Sequence, residues 1–268
     1  MPEAAELLAT WEAGVGLGGQ GDGQARRAQL LHALTRPHAE VAELLDVPLG
    51  ERDTELYALR RRLFGERLDV RVGCPGCHEE MEFALDVATL VGTGGTRPQR
   101  QPLRVESGQW VVRLRLPTPG DLLAIVSKAG SEAGGAAGDE AGGSEPSGPA
   151  GGVRQVLLQR CVLEATRAGE PVGVAELPES VLERVSAAAE EADPHADVRM
   201  AAPCPECGHR LSVELDIASY LWDELDSWAR STLLDVHLLA CAYGWTEPDV
   251  LALSPLRRRY YLELAGYA

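Results

Sequence analysis

Cys74-Pro75-Gly76-Cys77 and Cys204-Pro205-Glu206-Cys207 decide how this chain is read. Each is a Cys-x-x-Cys turn, and each occupies the same place in a repeated segment. The first copy runs Asp69-Val70-Arg71-Val72, turn, Phe83-x-Leu85-Asp86-Val87-Ala88; the second runs Asp197-Val198-Arg199-Met200, turn, Val213-x-Leu215-Asp216-Ile217-Ala218. Twelve positions separate the first cysteine from the closing aspartate in both, and the second copy carries two extra residues before its turn. The repeat predicts strand, knuckle, strand and helix start. Met81, Phe83 and Leu85, like Leu211, Val213 and Leu215, alternate as one face of a strand.

Structural zinc takes four thiolate or imidazole ligands in a tetrahedron, and one Cys-x-x-Cys turn supplies half of them. Two turns supply the whole set, so the expectation is one shared zinc on Cys74, Cys77, Cys204 and Cys207. Pro75, Gly76, Pro205 and Gly208 suit loops that fold back sharply. Two other readings compete. Each knuckle could hold its own ion with His78 or His209, which leaves it short of ligands. Each could be a redox dithiol, although such motifs open a helix, whereas these precede strand-like alternation.

Composition narrows the function. The chain has 268 residues, 45% of them hydrophobic, enough for one large or two small cores. It contains no apolar run of membrane-spanning length, and Met1-Pro2-Glu3 does not start a signal peptide. The expected location is cytoplasmic, where cysteines serve metals rather than disulfides. Cys161 and Cys241 are expected to be small buried hydrophobes. The net charge of −16 opposes nucleic-acid binding, which needs a concentrated basic surface. Arg60-Arg61-Arg62 and Arg257-Arg258-Arg259 sit beside acidic residues and read as solvated or salt-bridged helix faces.

The expected fold is α+β and mainly helical, with two zinc-knuckle β-hairpins forming a pseudo-twofold zinc ribbon. Residues 1–65 read as a helical cap, with Leu7, Leu8 and Trp11, then Ala28, Leu31 and Leu34, then Leu56, Leu59 and Leu63 at helical spacing. Residues 66–128 hold the first knuckle, a loop over 92–100, a hairpin around Ser107-Gly108 and a short helix over 122–128. Residues 129–152, nine of whose twenty-four members are glycine, read as a disordered insertion. The remainder, 153–268, predicts helices over 153–168 and 179–191, the second knuckle and a long helix from Ile217 to Tyr243 closed by Gly244. Thr246-Glu247-Pro248 and Ser254-Pro255 start two more helices. The whole reads as one cooperative globule.

No nucleophile elbow, phosphate loop or His-Glu-x-x-His motif is present. His38-Ala39-Glu40 with Pro203-Cys204-Pro205-Glu206-Cys207 matches the letters of a zinc deaminase. That pairing orphans Cys74 and Cys77, and its knuckle lies between strands. His237 is expected to be a packed histidine. A four-thiolate zinc has no open position, so the residues point to a non-enzymatic, zinc-stapled protein with no small-molecule substrate.

The second half carries a resemblance. Its residues are Cys204-Pro205-x-Cys207-Gly208-His209 and Asp216-Ile217-Ala218-x-x-Leu221-Trp222-x-Glu224-Leu225. They continue with Asp235-Val236-His237-x-Leu239-Ala240-x-Ala242-Tyr243-Gly244-Trp245-Thr246-Glu247 and Val250-Leu251-x-Leu253-Ser254-x-x-Arg257-Arg258-x-x-Tyr261-Leu262. Together they resemble the T-even-like phage baseplate (hub assembly) protein family, as found in bacterial phage-tail-like contractile injection systems. The resemblance covers residues 195–265 well and the first knuckle loosely. It implies a baseplate component or assembly factor whose partners are other baseplate or tail proteins, acting without catalysis. A zinc-ribbon regulatory or redox-sensing adaptor is the alternative reading.

Overall fold

The computed structural model describes residues 2–17, 22–91, 101–133 and 149–267. Four helices come first: α1 (Ala4–Val15), α2 (Gly23–Ala33), α3 (Val41–Leu45) and α4 (Leu49–Phe64). The first repeat follows as β1 (Arg67–Gly73), β2 (Glu80–Asp86) and α5 (Val87–Val91). Next come β3 (Leu103–Ser107), β4 (Trp110–Leu114), α6 (Pro119–Ala133), α7 (Pro149–Cys161), β5 (Val162–Arg167), β6 (Glu170–Pro171) and α8 (Glu179–Ala192). The second repeat is β7 (Arg199–Pro203), β8 (Arg210–Glu214) and α9 (Ile217–Tyr243), followed by α10 (Glu247–Leu251) and α11 (Pro255–Leu264). The class is α+β, with small antiparallel sheets among many helices.

α9 is the axis of the molecule. Asp216 caps its start by accepting from the Ala218 and Ser219 N–H groups, and Gly244 ends it in the left-handed region at φ 69°. Ile217, Ala218, Leu221, Trp222, Leu225, Ala229, Thr232, Val236 and Leu239 form one buried stripe along it. Its first half receives α1, α2 and α4, and its second half receives α10 and α11. The N-terminal helices are therefore part of the main core, where Leu7, Leu31, Leu56 and Leu59 meet Leu221, Trp222 and Leu225. Each such side chain contributes about 1.5–3 kcal/mol by leaving water.

A second core forms on one face of the sheet β3-β4-β5-β6. Val112, Leu114 and Leu116 alternate into that face, all three being buried, while Arg113 points outward to Glu164. α8 covers that face with Val181 and Val185. Helix was expected over 153–168, but α7 ends at Cys161 and the chain continues as β5. Pairing with β4 decides this: Val112 lies opposite Ala165, and both are buried. Ala168 and Gly169 then turn at φ 52° and 93° into β6, which is the type I′ geometry that suits a two-residue hairpin. Helix also enters both ends of the stretch 129–152 expected to be disordered, since α6 reaches Ala133 and α7 starts at Pro149. The rest of that stretch, 134–148, lies outside the described residues, as does the expected loop over 92–100.

Internal ion pairs lock these layers. Arg60 is bidentate to Glu224 at 2.7 and 2.8 Å, tying α4 to α9. Arg115, just past β4, and Arg160 of α7 both bond Asp121, tying them to the start of α6. Asp193, at the end of α8, accepts from the Gly50 N–H at 2.9 Å and so caps α4 from far along the chain. Arg258 is buried near Asp235, and Arg259 pairs with Glu263. Three of the six clustered arginines thus hold partners on their own or neighbouring helices.

Candidate metal centre

The two repeats fold alike to the level of single hydrogen bonds. In the first knuckle Cys74 N–H donates to Glu79 O at 2.9 Å and His78 N–H to Cys74 O at 2.8 Å. In the second, Cys204 N–H donates to His209 O at 2.8 Å and Gly208 N–H to Cys204 O at 2.9 Å. The fourth residue after the first cysteine has a positive φ in both, 63° at His78 and 73° at Gly208. Each copy then closes on a capping aspartate: Asp86 Oδ1 accepts from Ala88 N–H at 2.8 Å, and Asp216 Oδ1 from Ala218 N–H at 3.0 Å. The largest difference is helix length, five residues in α5 against 27 in α9.

The knuckles meet tip to tip. Cys74 Sγ lies 3.7 Å from Cys207 Sγ, and Cys77 Sγ lies 3.7 Å from Cys204 Sγ. Exchanging the two copies interchanges these two contacts. All four sulphurs fall within 4.8 Å of one another. A regular tetrahedron with metal–sulphur bonds of about 2.3 Å has sulphur–sulphur edges of about 3.8 Å. The donor set therefore fits one tetrahedral ion, and the structure brings together all four cysteines that the sequence pairs. Among the described residues no other group of His, Cys, Asp and Glu is placed to hold a metal. His78 and His209 are exposed and outside the cluster, and so is His38 of the deaminase-like pairing.

Packing and electrostatics support the cluster from behind. Met81 and Leu211, equivalent in the repeat, are buried against Cys74 and Cys204, with Phe83 and Val213 beside them. Gly76 faces the other knuckle, where a Cβ would lie 3.3 Å from His209 Cβ. Burial raises the Cys74 thiol, but the Cys77 and Gly76 N–H groups, with the neighbouring thiols, outweigh it and bring it down to about 6. At Cys77 the Glu79 N–H works the other way from burial and the three facing sulphurs, which together push the thiol up to about 12. Four thiols this close cannot all ionise alone, because each thiolate repels the next. A bound cation removes that repulsion and lets all four serve as ligands.

The two remaining cysteines part company. Cys161 is buried as expected, and burial pushes its thiol up to about 11. Cys241 is exposed, contrary to expectation, and so is His237, whose Nε2 lies 3.9 Å from its sulphur. Both sit on the face of α9 turned away from the stripe that packs, which a helical period alone does not distinguish when apolar residues lie on several sides. No helix among the described residues is long and apolar enough to cross a membrane. Comparison with known proteins finds no matching family model, no matching curated protein and no matching solved structure.

Proposed function

We propose that this chain is a zinc-stapled assembly or baseplate component of a contractile, phage-tail-like particle, working in the cytoplasm through contacts with other tail proteins. The observation that carries the reading is the C-terminal unit. The residues that bear the resemblance, 195–265, form the second knuckle, α9, α10 and α11. Trp245 and Tyr261 pack edge to face inside it, while Leu234, Leu256, Tyr260 and Leu264 stand outside with 56–77% of their surface exposed. An apolar surface of that kind is a protein-contact feature. The ion is proposed to be zinc, because four soft thiolates in a closed tetrahedron select it. Such an ion offers no open position to a substrate, so its role is to hold the two repeats together.

The test is deletion of the gene in a producing cell, followed by electron microscopy of sedimented particles. Loss of full-length sheathed particles, restored by the wild-type gene and not by a Leu256→Glu/Leu264→Glu version, is the expected result. Normal numbers of contractile particles without the gene would overturn the reading. A redox-sensing adaptor is the second reading, favoured by one observation: Cys207 is exposed while Cys74 and Cys204 are buried. Release of the ion by mild peroxide, with a matching change in partner binding, would support it.

A further inference from the structure

A cavity of about 370 Å³ lies between α2, α4, α6 and the base of the second hairpin. Ala28, Leu49, Leu122 and Val126 give it aliphatic walls. Its polar groups are less easily explained by the fold. Tyr57 lines the cavity, is 1% exposed, and its hydroxyl has no hydrogen-bond partner. A buried hydroxyl without a partner destabilises a folded chain and calls for an explanation. Asp53, one turn earlier on α4, is buried and accepts a hydrogen bond from Arg52 Nε to its Oδ1 at 2.7 Å. Burial raises the Asp53 carboxyl against the pull of Arg52, and the charge of Asp216 raises it further. Burial, then the charges of Asp53 and Asp216, likewise hold the Tyr57 phenol above its ordinary range. The three groups thus surround one volume.

The sign of the lining selects the ligand. Asp53, Glu214 and Asp216 line it together with Asp197, which Arg199 pairs at 2.8 Å, and Arg52 is the single cation among the lining residues. An anionic ligand meets four carboxylates, and a wholly apolar one leaves the Tyr57 hydroxyl without a partner. An ammonium group has three donors and no acceptor, which is the complement of a phenol oxygen and carboxylates. We propose that this cavity binds a small primary alkylammonium group, with the Asp53 carboxylate and the Tyr57 hydroxyl taking its N–H donors and the aliphatic wall taking its short stem. The volume is near the lower end of small-molecule sites, which limits the stem to a few carbons. The same chemistry comes from a free amine or from a lysine side chain of a partner.

Calorimetry and thermal unfolding of the full chain with n-butylamine, 1,4-diaminobutane, n-butanol and a doubly blocked lysine test this. Saturable binding of the amines, with a raised Tm and no response to butanol, is expected. Tyr57→Phe keeps the ring and removes the unpartnered hydroxyl, so it should raise the Tm of the ligand-free chain yet weaken amine binding about tenfold. Asp53→Asn should weaken it at least as much. Binding of the blocked lysine alone, with the same response to both variants, assigns the ammonium to a partner's lysine. No saturable binding of any amine to the folded wild-type chain would overturn the proposal. So would binding that both variants leave unchanged, or butanol binding as tightly as butylamine.

Discussion

Removing the proposed ion is the most informative perturbation of this fold. If one ion joins the knuckles, it closes a loop of 127 residues between Cys77 and Cys204. In the chain-entropy treatment of a cross-link, a loop of that length restricts the unfolded state by about 5 kcal/mol. The native state does not lose everything when the ion leaves. Leu68, Val70, Val87 and Ile217 still anchor both repeats to the main core, and Met81 and Leu211 still touch across the tips. We therefore expect Cys204→Ser, or a strong chelator, to lower stability by about 3–5 kcal/mol, which is about 10 °C in Tm for a chain of this size. The assay is thermal unfolding by circular dichroism, with metal content measured on the same samples. The chelator should add little to Cys204→Ser, because both remove the same cross-link. Cys241→Ser, at an exposed position, should match the wild type. Wild-type protein with less than one ion per chain, or Cys204→Ser and chelator both within about 2 °C of untreated protein, would refute the shared centre.

Three other outcomes follow from the internal contacts. Gly50→Ala places a Cβ 1.8 Å from Asp193 Oδ1, so it should expel that carboxylate, uncap α4 and cost about 2–4 kcal/mol in urea unfolding, whereas Gly73→Ala, which meets nothing, should not. Burial raises both Asp121 and Glu55, but Arg115 and Arg160 hold the first down to about 2, and hydrogen bonds from His32, Arg36 and Thr35 hold the second down to about 2. Folded pKa values below the unfolded ones mean that this stability is complete above about pH 5 and lost as pH falls towards 2; an acid titration should show it, and Asp121→Asn should flatten the curve while removing about 1–2 kcal/mol at neutral pH after solvent screening. Leu256→Glu with Leu264→Glu should leave Tm unchanged, since both side chains are exposed, and should reduce recovery of the chain with its partners in pull-downs.

Much of the four-cysteine cluster was legible because its signal is local and doubled. Twelve positions from cysteine to aspartate, twice, imply the same strand, turn and cap, and the structure repeats them bond for bond. The ends of α9 were legible for the same reason, since an Asp cap and a Gly stop act on the adjacent turn. β5 was not. Val162 to Arg167 follows directly on helix, with no breaker between, and its strand state depends on β4, some fifty residues earlier. The glycine-rich composition of 129–152 likewise hid the helical ends at Ala133 and Pro149. Asp193 as the cap of α4, and the Asp121 and Glu55 ion clusters, left no mark in the sequence, because partners far apart along the chain have no fixed spacing.

The sequence by itself determined the local units: two knuckles of matched length, the helices with their caps, and the alternating strands. It also determined the chemistry available to them, four soft thiolates and an excess of acid. Only the tertiary structure decided which units meet. It turned the two knuckles tip to tip at 3.7 Å, exposed Cys241 while burying Cys161, and gathered Asp53, Tyr57 and Asp216 around one cavity. The physical reason is range. Backbone propensity and capping act within a turn or two, whereas burial and charge pairing compare every surface of the chain with every other, and only the packed fold settles that competition.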